Sequence, residues 1–193
     1  MTPPKILAFA GSARTGSYNQ KLVIAAAEHA RAAGAAVTVV SLRDFELPLF
    51  DQDLEAAQGM PAGAKQFKAL LREHDGFLIA SPEYNSSFTP LLKNALDWAS
   101  RAETKDEPPL AAYRGKVAAL LSASPGALGG LRGLVQLRAL LGNIGVIVLP
   151  DQVAIGAAYE VFDDAGHIKD ERKSAQVANL ARGLTNFLVK LQA

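Results

Sequence analysis

Cysteine is absent from the 193 residues of this chain. Its absence excludes disulfide bonds, a thiolate nucleophile and any metal site built on cysteine. No apolar run approaches the roughly 18 residues that a membrane-spanning helix needs. The N-terminal residues also lack a charged segment ahead of an apolar one, so no signal peptide is expected. The sequence therefore predicts a cytoplasmic protein that does not contact membranes.

An excess of charge of one sign is also missing, because 20 lysines and arginines are balanced by 19 aspartates and glutamates. Without a broad basic surface, nucleic acid is not an expected partner. His29, His74 and His167 are not spaced like metal ligands, so no metal site is predicted. His29 and His74 fall within or at the end of predicted helices, and we expect both to be surface residues.

Short apolar segments alternate with amphipathic ones along the whole chain. The apolar segments predict buried strands at residues 5–11, 35–42, 76–82, 116–124 and 144–155. The amphipathic segments predict helices at about 19–33, 62–74, 90–100 and 126–143, and a last helix that carries Val177 to Leu191. Residues 43–61 are predicted to be an irregular connection. Alternating strands and helices indicate a parallel sheet covered on both faces, so we predict one doubly wound α/β domain over residues 1–193.

Three predicted strands are followed by unusually polar segments. These segments read "GSARTGSYN" after the first strand, "SPEYNSS" after the third and "SASPGALGG" after the fourth. Ligands of open α/β sheets bind at the carboxyl ends of the strands. We therefore expect the three segments to meet at one edge of the sheet and to form a binding site.

The segment after the first strand has the composition of an anion site. Gly11 and Gly16 permit tight turns, Ser12 and Ser17 offer hydroxyl donors, and Arg14 offers a planar fork of N–H donors. The simpler alternative is that Ser17 or Asn19 only caps the following helix. The segment lacks the lysine of a nucleoside triphosphatase loop and the second glycine of the dinucleotide fingerprint, so neither of those classes is favoured.

The segment after the third strand suggests a site for a planar heterocycle. Pro82 stiffens the backbone, Tyr84 offers a flat amphipathic face, and Asn85 both donates and accepts hydrogen bonds. For Glu83 alone, a solvated or helix-capping carboxylate is the favoured interpretation. The chain has no G-x-S-x-G segment, and no histidine is placed to serve a serine nucleophile.

Together, "GSARTGSYN", "PEYNSSFTPLLKNALDWAS" and "SASPGALGG" resemble the NADPH-dependent FMN reductase family. This flavodoxin-like group includes chromate, quinone and azo reductases, and the likeness extends over essentially the whole chain. The resemblance implies a five-stranded flavodoxin-like sheet, FMN as cofactor, NADPH or NADH as hydride donor, and a homodimer or homotetramer. Ser86 and Ser87 stand where relatives often carry an aromatic residue, which implies a more open flavin face.

The resemblance also implies roles for individual residues. The phosphate of FMN would be bound by Ser12, Arg14, Ser17, Asn19 and Gln20. The ring and ribityl chain would be bound by Pro82, Glu83, Tyr84, Asn85, Ser124 and Gly126. Arg101 and Tyr84 would contact the pyridine nucleotide or the acceptor, although Arg101 has the alternative role of pairing with carbonyls at a helix end. No protein side chain is expected to be catalytic, because the flavin carries the chemistry.

The resulting hypothesis is ping-pong hydride transfer from NAD(P)H through FMN to a small electron-poor acceptor. Quinones, nitroaromatics, azo dyes, chromate and free flavin are all candidate acceptors. One alternative is a flavodoxin-type electron carrier without substrate turnover, which the pI of about 8.0 disfavours because such carriers are usually acidic. Another is a reductase that releases reduced FMN to a monooxygenase, and a third is a domain that has lost the cofactor and serves only in assembly.

Overall fold

Five parallel strands form a single sheet in the computed structural model, which describes residues 2–192. The strands are β1 (Lys5–Ala10), β2 (Ala36–Ser41), β3 (Gly76–Ala80), β4 (Val117–Ala123) and β5 (Ile147–Ile155). Their spatial order is β2-β1-β3-β4-β5, and every neighbouring pair is parallel. This is the flavodoxin-like strand order, so the predicted fold is confirmed.

Helices cover both faces of this sheet. They are α1 (Tyr18–Ala32), α2 (Gln52–Gln58), α3 (Ala62–Glu73), α4 (Pro90–Ala99), α5 (Leu131–Asn143), α6 (Ala158–Val161) and α7 (Glu171–Leu191). Alternation along β1 divides the core, because Ile6 packs with α1 and α7 whereas Leu7 and Phe9 pack with α3, α4 and α5. Within the described residues, no helix is both long and apolar enough to cross a membrane.

The structure corrects several predicted boundaries. The prediction that residues 43–61 are irregular is wrong, because this segment contains the end of a 3-10 turn and helix α2. The Asp51 carboxylate begins α2 by accepting hydrogen bonds from two backbone N–H groups. The helix predicted from residue 126 begins only at Leu131, since Gly129 and Gly130 adopt φ values of 62° and 89° that are incompatible with a helix. Strand β5 begins three residues later than predicted.

His74 is buried, so its predicted surface location is wrong. It ends α3, where its Nδ1 lies 2.7 Å from the carbonyl oxygen of Leu70. Its Nε2 lies 2.8 Å from the hydroxyl of Thr38 in β2. Both ring nitrogens therefore have partners, which satisfies the polar ring in its buried position and joins α3 to the edge of the sheet.

Candidate functional site

A cavity of about 350 Å³ opens at the carboxyl ends of the strands, between the β1–α1 and β3–α4 loops. The strand order reverses between β1 and β3, so the cavity lies where ligands bind in doubly wound sheets. Eight of the predicted site residues line it, namely Ser12, Arg14, Ser17, Asn19, Pro82, Glu83, Tyr84 and Ser124. The structure thus brings together the three polar segments that the sequence placed at one edge.

The β1–α1 loop is held mainly by its own side chains. Ser17 begins α1, and its hydroxyl accepts a hydrogen bond from the backbone N–H of Gln20 at 3.4 Å. Arg14 donates to the carbonyl oxygens of Thr15 and Gly16 at 3.3 and 3.0 Å. Its guanidinium also lies 5.7 Å from the centre of the Tyr18 ring. Ser17 therefore has the capping role that the simpler alternative proposed, while both Ser17 and Arg14 still line the cavity.

A second cavity of about 320 Å³ adjoins the first on the other side of the same loop. Its lining includes Arg14, Lys21 and Arg43, and none of the described residues that line it is acidic. Gln20 lies here rather than in the first cavity, and its side-chain oxygen is buried without a hydrogen-bond partner among residues 2–192. This end of the site is therefore positively charged and rich in hydrogen-bonding groups, which suits an anion.

Asn19 is buried and joins α1 to the end of β4. Its Nδ2 donates to the carbonyl oxygen of Ala123 at 2.8 Å, and its Oδ1 accepts from the N–H of the same residue at 3.0 Å. The amide thus pairs with the main chain of Ala123 much as a neighbouring strand would. Because both of its polar atoms are engaged, Asn19 positions the loop against Ser124, the next residue along the chain.

The carboxylate of Glu83 caps helix α5. It accepts from the backbone N–H groups of Arg132 and Gly133 at 3.1 and 3.3 Å, and it pairs with the Arg132 guanidinium at 2.5 Å. Burial alone would raise the pKa of the Glu83 carboxyl, but these hydrogen bonds and the positive charge of Arg132 outweigh burial, so the pKa lies below its ordinary value. The favoured capping interpretation agrees with these contacts, and the carboxylate is ionised at neutral pH.

The next residues form a tight turn at the rim of the cavity. Tyr84 and Ser87 exchange two backbone hydrogen bonds, of 2.9 and 3.0 Å. Between them, Asn85 and Ser86 have φ values of 51° and 68°, as the two central residues of a type I′ turn require. Tyr84 lines the cavity and is 55% exposed, so its ring is accessible to a ligand.

Thr89 connects this segment to the β1–α1 loop. Its hydroxyl accepts from the N–H of Leu92 at 3.2 Å, which caps α4, and donates to the carbonyl oxygen of Gly11 at 2.6 Å. A Cβ added to Gly11 would lie 3.1 to 3.2 Å from Leu92 and Thr89. A side chain at position 11 would therefore crowd α4, and Leu92 or Thr89 would have to shift by a few tenths of an ångström.

Three predicted site residues, Asn85, Gly126 and Arg101, are not among the described residues that line either cavity. Arg101 follows α4, where its Nε donates to the Glu55 carboxylate at 2.9 Å and its guanidinium lies 5.5 Å from the Phe50 ring centre. Its contact with a pyridine nucleotide or acceptor stays a prediction.

Arg43 is a functional candidate that the sequence alone did not indicate. It follows β2, and the pairing of Ser41 with Ala10 places the end of β2 beside the end of β1. Its guanidinium donates to the carbonyl oxygen of Ala13 and, at 3.3 Å, to the hydroxyl of Thr15. A polar residue just after a strand was the only available signal, because its contact depends on which strands are neighbours.

The donor set therefore fits a ligand with an anionic group at one end and a flat ring at the other. The anionic group would meet the hydroxyls and guanidinium groups of the β1–α1 loop. Pro82, Tyr84 and Pro125 supply rigid or flat walls at the other end. The cavity falls in the size range of small-molecule sites, and the two parts of its lining differ in polarity as such a ligand requires.

Comparisons with known proteins point to one family. A family model described as NADPH-dependent FMN reductase matches residues 4–160. An NAD(P)H-dependent FMN reductase of Pseudomonas aeruginosa is 34% identical over 190 residues, or 97% of each chain. An NAD(P)H:quinone oxidoreductase of Solanum tuberosum is 38% identical over 195 residues, or 97% of this chain and 94% of the relative. The solved structure of FerB, a flavoenzyme NAD(P)H:(acceptor) oxidoreductase of Paracoccus denitrificans, has a TM-score of 0.81 at 25% identity and covers 97% of this chain and 98% of its own.

Proposed function

The chain belongs to the NADPH-dependent FMN reductase family, and on this premise we propose that it uses bound FMN to transfer electrons from NAD(P)H to quinones or other electron-poor acceptors. The observation that carries the proposal is the cavity at the β1/β3 edge, with a cationic, hydroxyl-rich end and an apolar, aromatic end. Family membership supports an oxidoreductase rather than a flavodoxin-type carrier.

The side chains present fit FMN. Its phosphate would be held by the β1–α1 loop, through the hydroxyls of Ser12 and Ser17 and the guanidinium of Arg14. Its ring system would lie between Tyr84 and the segment that begins at Ser124. The amide oxygen of Gln20, which has no hydrogen-bond partner among residues 2–192, can accept from a ligand hydroxyl but cannot bind the phosphate oxygens.

When bound, FMN supplies the two-electron chemistry, taking electrons from NAD(P)H and giving them to the acceptor. The protein's part is to position and to neutralise charge. Arg14 and Arg43 would balance phosphate charge, the Thr89 hydroxyl joins the β3–α4 segment to the β1–α1 loop, and Asn19 joins α1 to the end of β4. Glu83 stays paired with Arg132, so it is not free to accept a substrate proton.

The small residues of the 84–87 turn also bear on the choice of acceptor. Ser86 and Ser87 provide little bulk beside Tyr84, which supports a site where nucleotide and acceptor bind alternately to the same face. We therefore propose ping-pong kinetics and a broad range of flat or small acceptors, including quinones, nitroaromatics, azo dyes, chromate and free flavin.

The function is tested by purifying the protein and recording its visible spectrum without oxygen. We expect a yellow protein that is bleached by NADPH or NADH and regains its colour when a quinone is added. Parallel lines in double-reciprocal plots of initial rate against nucleotide concentration, measured at several quinone concentrations, would support ping-pong kinetics. FMN loss on gel filtration would favour a reductase that releases the reduced flavin. Failure of both nucleotides to bleach flavin-loaded protein contradicts the proposal.

Replacing Arg14 by alanine is expected to weaken FMN binding by about 1.5–3 kcal/mol, because a charge-assisted hydrogen bond to phosphate is removed. Fluorescence titration of apoprotein with FMN measures the loss. Arg31→Ala is a suitable control, since Arg31 lies in the last turn of α1, away from its N-terminus. Equal FMN dissociation constants for Arg14→Ala and the parent would remove Arg14 from the phosphate site.

Self-association into a homodimer or homotetramer also stays a proposal. Its support is an exposed apolar stripe formed by Leu128, Leu131 and Val135, which are 55%, 40% and 56% exposed. Leu131 and Val135 lie one turn apart on α5 and Leu128 lies in the loop before it, and exposed apolar patches are typical of protein contacts. Sedimentation of the purified protein tests the proposal, and a monomer at micromolar concentration would contradict it.

A further inference from the structure

The residues next to Arg43 direct its side chain toward the β1–α1 loop. Ser41 accepts a hydrogen bond from the N–H of Arg43 through its hydroxyl, which begins the 3-10 turn Leu42–Asp44. Leu42 is fully buried and anchors this turn in the core. The next side chain, that of Arg43, is therefore directed outward beside the end of β1 and is solvent-exposed.

The contacts of Arg43 are with the loop and not with the core. Its guanidinium bridges the carbonyl oxygen of Ala13 and the hydroxyl of Thr15, which are two residues apart. Arg14 holds the carbonyl oxygens of Thr15 and Gly16 in the same loop. Two guanidinium groups thus occupy four acceptors of one short segment, which restricts its conformation before any ligand arrives.

Arg43 also belongs to a group of positive charges at this end of the site. Arg14, Lys21 and Arg43 line one cavity, and no acidic side chain joins them there within residues 2–192. Lys21 is also held in place, because its Nζ donates to the carbonyl oxygen of Asp163 at 3.1 Å. A cluster of like charges destabilises a protein unless an anion neutralises it, so the cluster itself indicates a negatively charged ligand group.

We propose that Arg43 is a positioning residue for the phosphate of FMN: its fork holds the β1–α1 loop in the binding conformation, and its charge attracts the phosphate. The proposal rests on the proposed function, since it assumes that FMN is the ligand. A loop that is already ordered loses less conformational freedom on binding, which slows dissociation. A positive charge at the entrance raises the association rate in a manner that depends on salt.

The test compares FMN with riboflavin, which has the same ring and no phosphate. For Arg43→Ala we expect the dissociation constant of FMN to rise about tenfold, the equivalent of removing one charge-assisted hydrogen bond. The dissociation constant of riboflavin should stay within about twofold of the parent, because Arg43 acts on the phosphate end of the ligand and not on the ring. Arg182→Ala is the matched control, since Arg182 is an exposed arginine of α7 that donates to Asn179 of its own helix.

A second variant separates the effect of the two guanidinium hydrogen bonds from the effect of the positive charge. Arg43→Lys keeps the charge but removes the two-point attachment to the loop, so stopped-flow fluorescence should show a near-parental association rate and faster dissociation of FMN. Thermal unfolding of the apoproteins should show that the variants fold, as expected for an exposed side chain.

Three outcomes would overturn the proposal. These are an unchanged FMN dissociation constant in Arg43→Ala, an equal loss of affinity for FMN and riboflavin, and a change confined to the KM for NADPH. If the parent itself binds neither flavin, the proposed function fails together with this inference. A parent that binds FMN but shows no effect of Arg43 leaves the proposed function intact and removes only the inference.

Discussion

Replacing Lys68 by methionine is expected to lower the free energy of unfolding by about 3–5 kcal/mol, because it leaves a buried carboxylate without its partner. Only 1% of the Lys68 side chain and 7% of the Glu107 side chain are exposed, and their charged atoms approach to 2.6 Å. The Lys68 Nζ also donates to the carbonyl oxygen of Arg101 at 2.7 Å. Urea unfolding followed by circular dichroism measures the loss.

Lys65→Met is the matched control for this experiment, since Lys65 is exposed and lies three residues earlier on the same helix, α3. We expect it to change stability by less than about 0.5 kcal/mol, as surface substitutions usually do. A double replacement, Lys68→Met with Glu107→Leu, should recover much of the loss, because no charge is then left buried. Equal stabilities for Lys68→Met and Lys65→Met would show that the buried pair does not stabilise the fold.

The Lys68–Glu107 pair should also make the stability of the protein depend on pH. Burial alone would raise the pKa of Glu107, but the hydrogen bond from Lys68 and the backbone N–H of Glu103 outweigh burial and place that pKa below its ordinary value of 4.5. A carboxyl with a lowered native pKa adds stability above its unfolded pKa, and this stability is lost as the pH falls through the native value. The stability difference between the parent and Glu107→Gln should therefore be largest near neutral pH and shrink below about pH 4.5. A difference that grows on acidification would contradict this assignment.

Replacing Asn19 by alanine is expected to destabilise the protein by about 2–3 kcal/mol, since it leaves the N–H and carbonyl of a buried residue without partners. Those groups belong to Ala123, which is 4% exposed. Asn19→Asp is also expected to destabilise, because a carboxylate accepts from the N–H but offers no donor to the carbonyl. Thermal and urea unfolding of the apoprotein measure both effects.

Asn179→Ala provides the control, because Asn179 is an exposed residue of α7. The experiment also distinguishes two roles for Asn19, which the resemblance placed among the phosphate ligands. A positioning role predicts a loss of stability without ligand and a smaller, indirect loss of FMN affinity. Unchanged apoprotein stability with a large loss of FMN affinity would instead make Asn19 a direct ligand.

Much of the site was readable from the sequence, because its elements depend on local chemistry. The apolar run of β1, the threonine–proline start of α4 and the polar segments after β1, β3 and β4 are all short-range signals. Once strands and helices alternate, the carboxyl ends of parallel strands must share one edge, and this consequence brought eight predicted residues into one cavity.

Partners that are distant along the chain were not readable in the same way. Glu83 meets Arg132 across 49 positions, Arg43 reaches Ala13 across 30, and Asn19 meets Ala123 across 104. Composition and periodicity describe a residue's own element and contain no information about which distant element packs against it. His74 shows the same limit, since its burial depends on Thr38 in the neighbouring strand.

The sequence by itself determined the fold class, the order of the elements and the residue types at the binding edge, because hydrophobic periodicity and turn chemistry act over a few residues. Only the tertiary structure decided the role of each polar group there. It assigned Glu83 to a helix cap, Asn19 to the main chain of β4 and Arg43 to the β1–α1 loop. The physical reason is that a buried polar group must find a partner, and the partner available depends on how the elements pack in three dimensions.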